Sequence, residues 1–110
     1  MYINEIDVAE LLNLMETEGE NIQLVDVRQP QEVSAGAIPG VTNIPMASLP
    51  VRANEISDDK KVILICRSGA RSGQCTAWLM QNGNNNAHNL RGGMMAWANS
   101  GLQMELPQTA

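Results

Sequence analysis

The sequence predicts an α/β fold built on a mainly parallel sheet with helices on both faces. Three observations carry this. Val62-Ile-Leu-Ile65 is apolar without interruption, as strands covered on both faces are. Strand-like and helix-like segments alternate along the chain. The connections between them are short and rich in turn residues. There is no internal repeat, and the one low-complexity patch, Asn84-Asn-Asn86 and its surroundings, reads as a solvated loop.

Asp7-Val-Ala-Glu10 has the form of a capping box, and Leu11, Leu12, Leu14 and Met15 follow at helical spacing until Gly19. Ile22 to Val25 is a short buried strand ending at Asp26-Val-Arg28. Residues 29–34 form one or two helical turns, with Pro30 tolerated in the first. Residues 36–40 are a turn, and Val41 to Ile44 is a very short strand stopped by Pro45. Ser48 to Ile56 is predicted as a short helix with Pro50 near its start, followed by a turn at residues 57–59. Lys61 to Ile65 is the clearest strand. Ala70 to Gln81 is helical, with Cys75, Trp78 and Leu79 on one face. Residues 82–86 are a cap and loop, Ala87 to Leu90 a strand, Gly92-Gly93 a turn, and Met94 to Asn99 a helix ended by Gly101. One domain over residues 1–103 with a tail over 104–110 is expected.

A chain of 110 residues can bury a core without disulfides or a structural metal. With no Phe, two Trp and seven Met, that core is aliphatic with Met as filler. The net charge of −5 argues against a general nucleic-acid surface. The first residues lack a basic region and a long apolar core, so no signal peptide is evident, and no run is long enough to span a membrane. Cys66 and Cys75 are not at C-x-x-C spacing. Free thiols in the cytoplasm and a monomeric state are the expectation.

The chemistry concentrates in ICRSGARSG, residues 65–73. Cys66 lies where a strand ends and a loop leads into a helix, the edge at which parallel sheets bind ligands. The first N–H groups of that helix lack intrahelical partners. Ser68, Gly69 and Ala70 are small enough to let the loop curl into an anion-binding nest. Arg67 and Arg71 add positive charge. All of this favours thiolate, so Cys66 is predicted to be a nucleophile. An inert buried cysteine is the commoner role for the residue, but these neighbours argue against it here. Cys75, on an apolar helix face, reads as core.

The reaction class follows from what the loop lacks. Acyl transfer needs an acid to protonate its leaving group. The one histidine, His88, lies in another strand, which leaves a Cys–His dyad open. Transfer of sulfane sulfur needs no acid, because sulfite leaves as a stable anion. A metal would need more ligands than one loop cysteine, and the phosphate-loop pattern is absent.

Four segments, LVDVR at 24–28, GAIPGVTNIP at 36–45, VILICRSGARS at 62–72 and LRGGMMAW at 90–97, together resemble the rhodanese family over nearly the whole chain. The resemblance implies a rhodanese-like fold with a central, mainly parallel five-stranded sheet. It implies a thiosulfate sulfurtransferase-type enzyme that needs no cofactor. Cys66 would take sulfane sulfur from thiosulfate or a protein persulfide, become a persulfide, and pass the sulfur to cyanide, a thiol or a protein. Arg67, Ser68, Gly69, Ala70 and Arg71 would bind the donor and cradle the persulfide. Asp26, Arg28 and Ser72 would support the loop.

Cys66 to Arg71 spans six residues. The related dual-specificity phosphatases have a seven-residue loop, usually with His before Cys. The shorter loop here suits a terminal sulfur better than a phosphate and disfavours a phosphatase or arsenate reductase. A non-catalytic docking module is the other alternative, although such modules generally lack the cysteine. Many members have His where this chain has Ala37, in the turn before Ile38-Pro39-Gly40.

Overall fold

The computed structural model of the chain describes residues 2–106. Five strands form one sheet in the order β1-β5-β4-β2-β3, and every neighbouring pair is parallel. They are β1 (Glu5–Ile6), β2 (Ile22–Asp26), β3 (Thr42–Asn43), β4 (Lys61–Ile65) and β5 (Ala87–Leu90). The helices are α1 (Val8–Thr17), α2 (Pro30–Ser34), α3 (Ala70–Gln81) and α4 (Gly93–Asn99). The sheet with helices on both faces is the fold the sequence predicts.

β4 shows why the sheet needs two covers. Val62, Ile63, Leu64 and Ile65 are each fully buried, and successive side chains point to opposite faces. Ile63 and Ile65 join Leu24, with Leu11 and Leu14 of α1 and Met94 and Trp97 of α4. Val62, Leu64 and Cys66 join Val25 and Val27, with Cys75 and Leu79 of α3. Cys75 is thus a core residue, as expected, and so is Trp97. Burying one such aliphatic side chain contributes roughly 1.5–3 kcal/mol, an upper estimate because unfolded chains are partly collapsed.

The capping box at Asp7 and Glu10 forms in both directions and fixes the start of α1. Three elements differ from the sequence reading. β1 has two residues, too few to show any periodicity. β3 is two residues shorter than the predicted strand. Residues 48–56 do not form one helix. Two short 3-10 helices, Met46–Ser48 and Ala53–Glu55, flank a turn that contains Pro50. Proline cannot donate the N–H that a continuous helix needs and crowds the preceding turn.

Part of the predicted tail lies outside the described residues. Within them, Glu105 forms an antiparallel bridge to Ala37, exchanging two backbone hydrogen bonds of 2.9 and 2.7 Å. The Trp97 indole N–H donates to the Gln103 carbonyl at 3.1 Å. No helix among the described residues is long and apolar enough to cross a membrane.

Candidate active site

Because all strands run the same way, the carboxyl ends of β2, β4 and β5 meet at one rim. Cys66 follows β4 there and is 1% exposed. Its parity along the strand places it on the α3 face, with Leu64. The loop then turns at Gly69, whose φ of +102° is left-handed and favours glycine, and enters α3.

α4 holds the back of this loop. The N–H groups of Met94 and Met95 donate to the carbonyls of Cys66 and Arg67 at 2.9 and 3.0 Å. A trans peptide points its N–H opposite its C=O. The N–H groups of Arg67 and Ser68 therefore face away from α4. Gly93 makes this approach possible: a Cβ there would lie 2.3 Å from the Cys66 carbonyl oxygen. The sequence shows Gly92-Gly93 only as a turn. Close backbone contact between distant segments is what makes Gly93 part of the site.

Around the sulfur, the Gly69 N–H lies 3.1 Å from Cys66 Sγ and the Ser72 hydroxyl 3.2 Å. Burial pushes the Cys66 thiol up. Hydrogen bonds from the Ser72 hydroxyl and from the Ser72, Gly69 and Ser68 N–H groups outweigh it and hold the thiol below its ordinary value. Cys75 shows burial without such donors. Its thiol is pushed up to about 11, by burial first and then by charge on Cys66.

The basic residues separate into three roles. Arg28 is 6% exposed and its guanidinium grips the fully buried Asp26 carboxylate at 2.8–3.1 Å. It also donates to the Gly36 carbonyl at 2.9 Å, tying the end of β2 to the turn that carries Ala37. Arg71 makes a two-pronged pair with Glu32 of α2 at 2.8 and 3.0 Å. The Arg71 hydrogen bonds hold Glu32 down to about 2, against a smaller opposing effect of burial. Arg67 is exposed, and its side chain has no hydrogen bond or ion pair among the described residues. A cleft of about 430 Å³ opens beside it, lined also by Arg28, Glu32, Met94, Met95 and Met104.

Ser68 and Ala70 are exposed in the loop, and Ser72 is fully buried behind it. Asn89 of β5, which the sequence does not mark, closes the site from the other side. It is 3% exposed and touches Ser72, Gly69 and Glu5. A lone Asn in a strand gives no sequence signal of such a role. His88, its neighbour, does not join the site. It is paired in register with Ile63 and so lies on the opposite face from Cys66. Its ring Nδ1 is 2.7 Å from the Asn86 carbonyl oxygen. No Cys–His dyad forms.

The chain and its fold are similar to those of known proteins. The Rhodanese-like domain family matches residues 7–100. A sulfurtransferase of Allochromatium vinosum is 45% identical over 106 residues, spanning 96% of this chain and 98% of that protein. A thiosulfate sulfurtransferase of Pseudoalteromonas translucida is 28% identical, spanning 88% of this chain and 90% of that one. The crystal structure of a rhodanese-like domain protein from Staphylococcus aureus superposes with a TM-score of 0.84 at 33% identity, covering 96% of this chain and all of that one.

Proposed function

The chain belongs to the Rhodanese-like domain family, and on that ground we propose that it is a sulfurtransferase in which Cys66 carries sulfane sulfur as a persulfide. The observation that carries the reading is a buried cysteine at a strand end, ringed by N–H and hydroxyl donors, with no carboxyl or imidazole group hydrogen-bonded to its sulfur among the described residues.

In the first step the Cys66 thiolate attacks the sulfane sulfur of the donor. An Sγ–S bond forms, the donor's S–S bond breaks, and its electron pair leaves with sulfite when the donor is thiosulfate. In the second step an acceptor nucleophile attacks the terminal sulfur. The S–S bond breaks again and its electron pair returns to Sγ as thiolate. Neither step needs an added oxidant or a proton donor. The loop N–H groups from Arg67 to Arg71 would face the negative terminal sulfur. Arg67, exposed and uncommitted, would meet the anionic donor. Arg71 would act from within its pair with Glu32, adding positive potential while fixing the loop to α2. Asp26, Arg28 and Ser72 would hold the walls.

Thiosulfate as donor is supported by the activity for which the Pseudoalteromonas relative is named and by the unpaired Arg67 side chain at the loop. The domain would span residues 1–103, would act as a monomer in the cytoplasm, and would hand sulfur to a thiol or protein acceptor.

The test is thiocyanate formation from thiosulfate and cyanide. Wild type is expected to be active and Cys66→Ala inactive. Mass spectrometry after thiosulfate treatment should show one added sulfur, roughly 32 Da, on wild type only. Activity retained by Cys66→Ala, or no adduct with several donors, would overturn the reading.

A further inference from the structure

The Ser72 hydroxyl has one proton and two neighbours that could accept it. Its oxygen lies 2.5 Å from Asn89 Oδ1 and 3.2 Å from Cys66 Sγ. Which end of the Asn89 amide faces Ser72 is decided by what the other end touches. Asn89 Nδ2 lies 2.9 Å from a Glu5 carboxylate oxygen and 3.2 Å from the Gly69 carbonyl oxygen. Both of those groups only accept, so the amide nitrogen belongs there and the amide oxygen faces Ser72. That oxygen carries no hydrogen. The proton between the two oxygens is therefore the serine's own.

With its proton on Asn89, Ser72 presents lone pairs to Sγ. This suits an S–H, which can donate to the hydroxyl oxygen, or a sulfur without charge. A thiolate needs a donor instead. Ser72 can supply one only by turning its proton to Sγ, which leaves the buried Asn89 oxygen facing a bare hydroxyl oxygen. A buried acceptor without a partner is costly.

We propose that Asn89, oriented by Glu5, is a positioning residue that draws the Ser72 proton away from Cys66, so that the hydroxyl turns to Sγ for the thiolate and back to Asn89 for the persulfide. The persulfide half rests on the proposed sulfurtransferase reading. When Sγ bonds to the incoming sulfur, the charge moves to the terminal atom and Sγ no longer needs the hydroxyl. When the acceptor removes that sulfur, charge returns to Sγ and the proton follows. The Ser72 proton rotates and is never transferred, so both steps stay balanced. The consequence is a thiolate kept more basic, and a persulfide favoured over it.

Other charged and titratable groups surround Cys66 and set its background. Arg67 and Arg71 come from the loop and α3, the Asp26–Arg28 pair from β2, and Glu32 from α2. Cys75 lies in α3, and Glu5, itself 3.8 Å from Arg91, stands behind Asn89. α4 presents no titratable side chain.

The experiment is the pH dependence of Cys66 alkylation by iodoacetamide, mapped by peptide mass spectrometry. It compares wild type, Asn89→Leu, Ser72→Ala and the double variant. Asn89→Leu frees the hydroxyl for Sγ, and its apparent pKa is expected to fall by about one unit, a tenfold gain in thiolate at fixed pH. Damage to the loop would move it upward instead. In the Ser72→Ala background the same substitution is expected to have no effect. An upward or absent shift, or an equal shift with and without Ser72, would overturn the proposal. Should Asn89→Leu not fold, Asn89→Ala serves, since it removes the same amide oxygen with a smaller side chain. The apparent pKa should fall with Ser72 present and stay unchanged with Ser72→Ala, and equal falls would overturn the proposal. Alkylation reads Cys66 whether or not sulfur is transferred. A wild type inactive with every donor would overturn the sulfurtransferase reading and the persulfide half with it, and leave the thiolate half standing.

Discussion

Arg67 and Arg71 stand four residues apart, and their partners give them different work. Arg71 is held by Glu32, each side chain about one third exposed. The folded pKa of Glu32, about 2, lies below the ordinary 4.5. The unfolded chain therefore takes up the proton first as pH drops. The stability that Glu32 contributes is full above the ordinary value and is lost as pH falls toward 2. Solvent screening keeps that contribution modest. Urea midpoints followed from about pH 5 to about pH 2.5 should fall more steeply for wild type than for Glu32→Gln. The Arg67 side chain makes no hydrogen bond or ion pair among the described residues. Arg67→Ala should leave stability within about 0.5 kcal/mol and raise KM for thiosulfate roughly tenfold, the worth of one charge-assisted contact. An unchanged KM would remove Arg67 from donor binding.

At the scale of the element, α4 is a brace for the Cys66 loop as much as a cover for the sheet. Its first N–H groups are spent on the Cys66 and Arg67 carbonyls, and Gly93 is where the two backbones touch. Gly93→Ala places a methyl group against the Cys66 carbonyl at a φ of +55°. A loss of about 2–4 kcal/mol is expected, at the high end for single substitutions, together with loss of sulfur transfer. Gly83→Ala is the control. It also has positive φ, +95°, but nothing lies within 4 Å of the new Cβ. It should cost only about 1 kcal/mol and leave activity intact. Thermal denaturation of the two variants separates steric contact from backbone strain.

At the scale of the molecule, the all-parallel sheet collects groups that are far apart in the chain. Asp26 and Asn89 come from two strands, Cys66 follows a third, and Glu32 and Arg71 come from two helices, yet they meet at one loop. The Ala37–Glu105 bridge extends this frame, since Arg28 grips the neighbouring Gly36 carbonyl. With a domain boundary at residue 103, deletion of residues 104–110 should leave a folded protein. It should cost about 1–3 kcal/mol for the two lost backbone bonds, read as a lowered denaturation midpoint. A chain that fails to fold would move the boundary outward.

Much of this was legible in the chain itself. The uninterrupted apolar run of β4, the capping box at Asp7 and the punctuation by glycine and asparagine are local signals, and local signals determined the main helices and the order of the layers. The four motif segments determined the family, and the Cys66-x4-Arg71 count determined the size of the loop. What only the tertiary structure decided depends on contacts between distant residues. It joined Arg71 to Glu32, set Gly93 against the Cys66 carbonyl, put His88 on the wrong face for a dyad, and brought Asn89 to Ser72. No periodicity or spacing encodes such pairs. They arise because parallel strands in the order β1-β5-β4-β2-β3 bring their carboxyl ends to a common rim, and that order becomes visible only once the sheet is assembled.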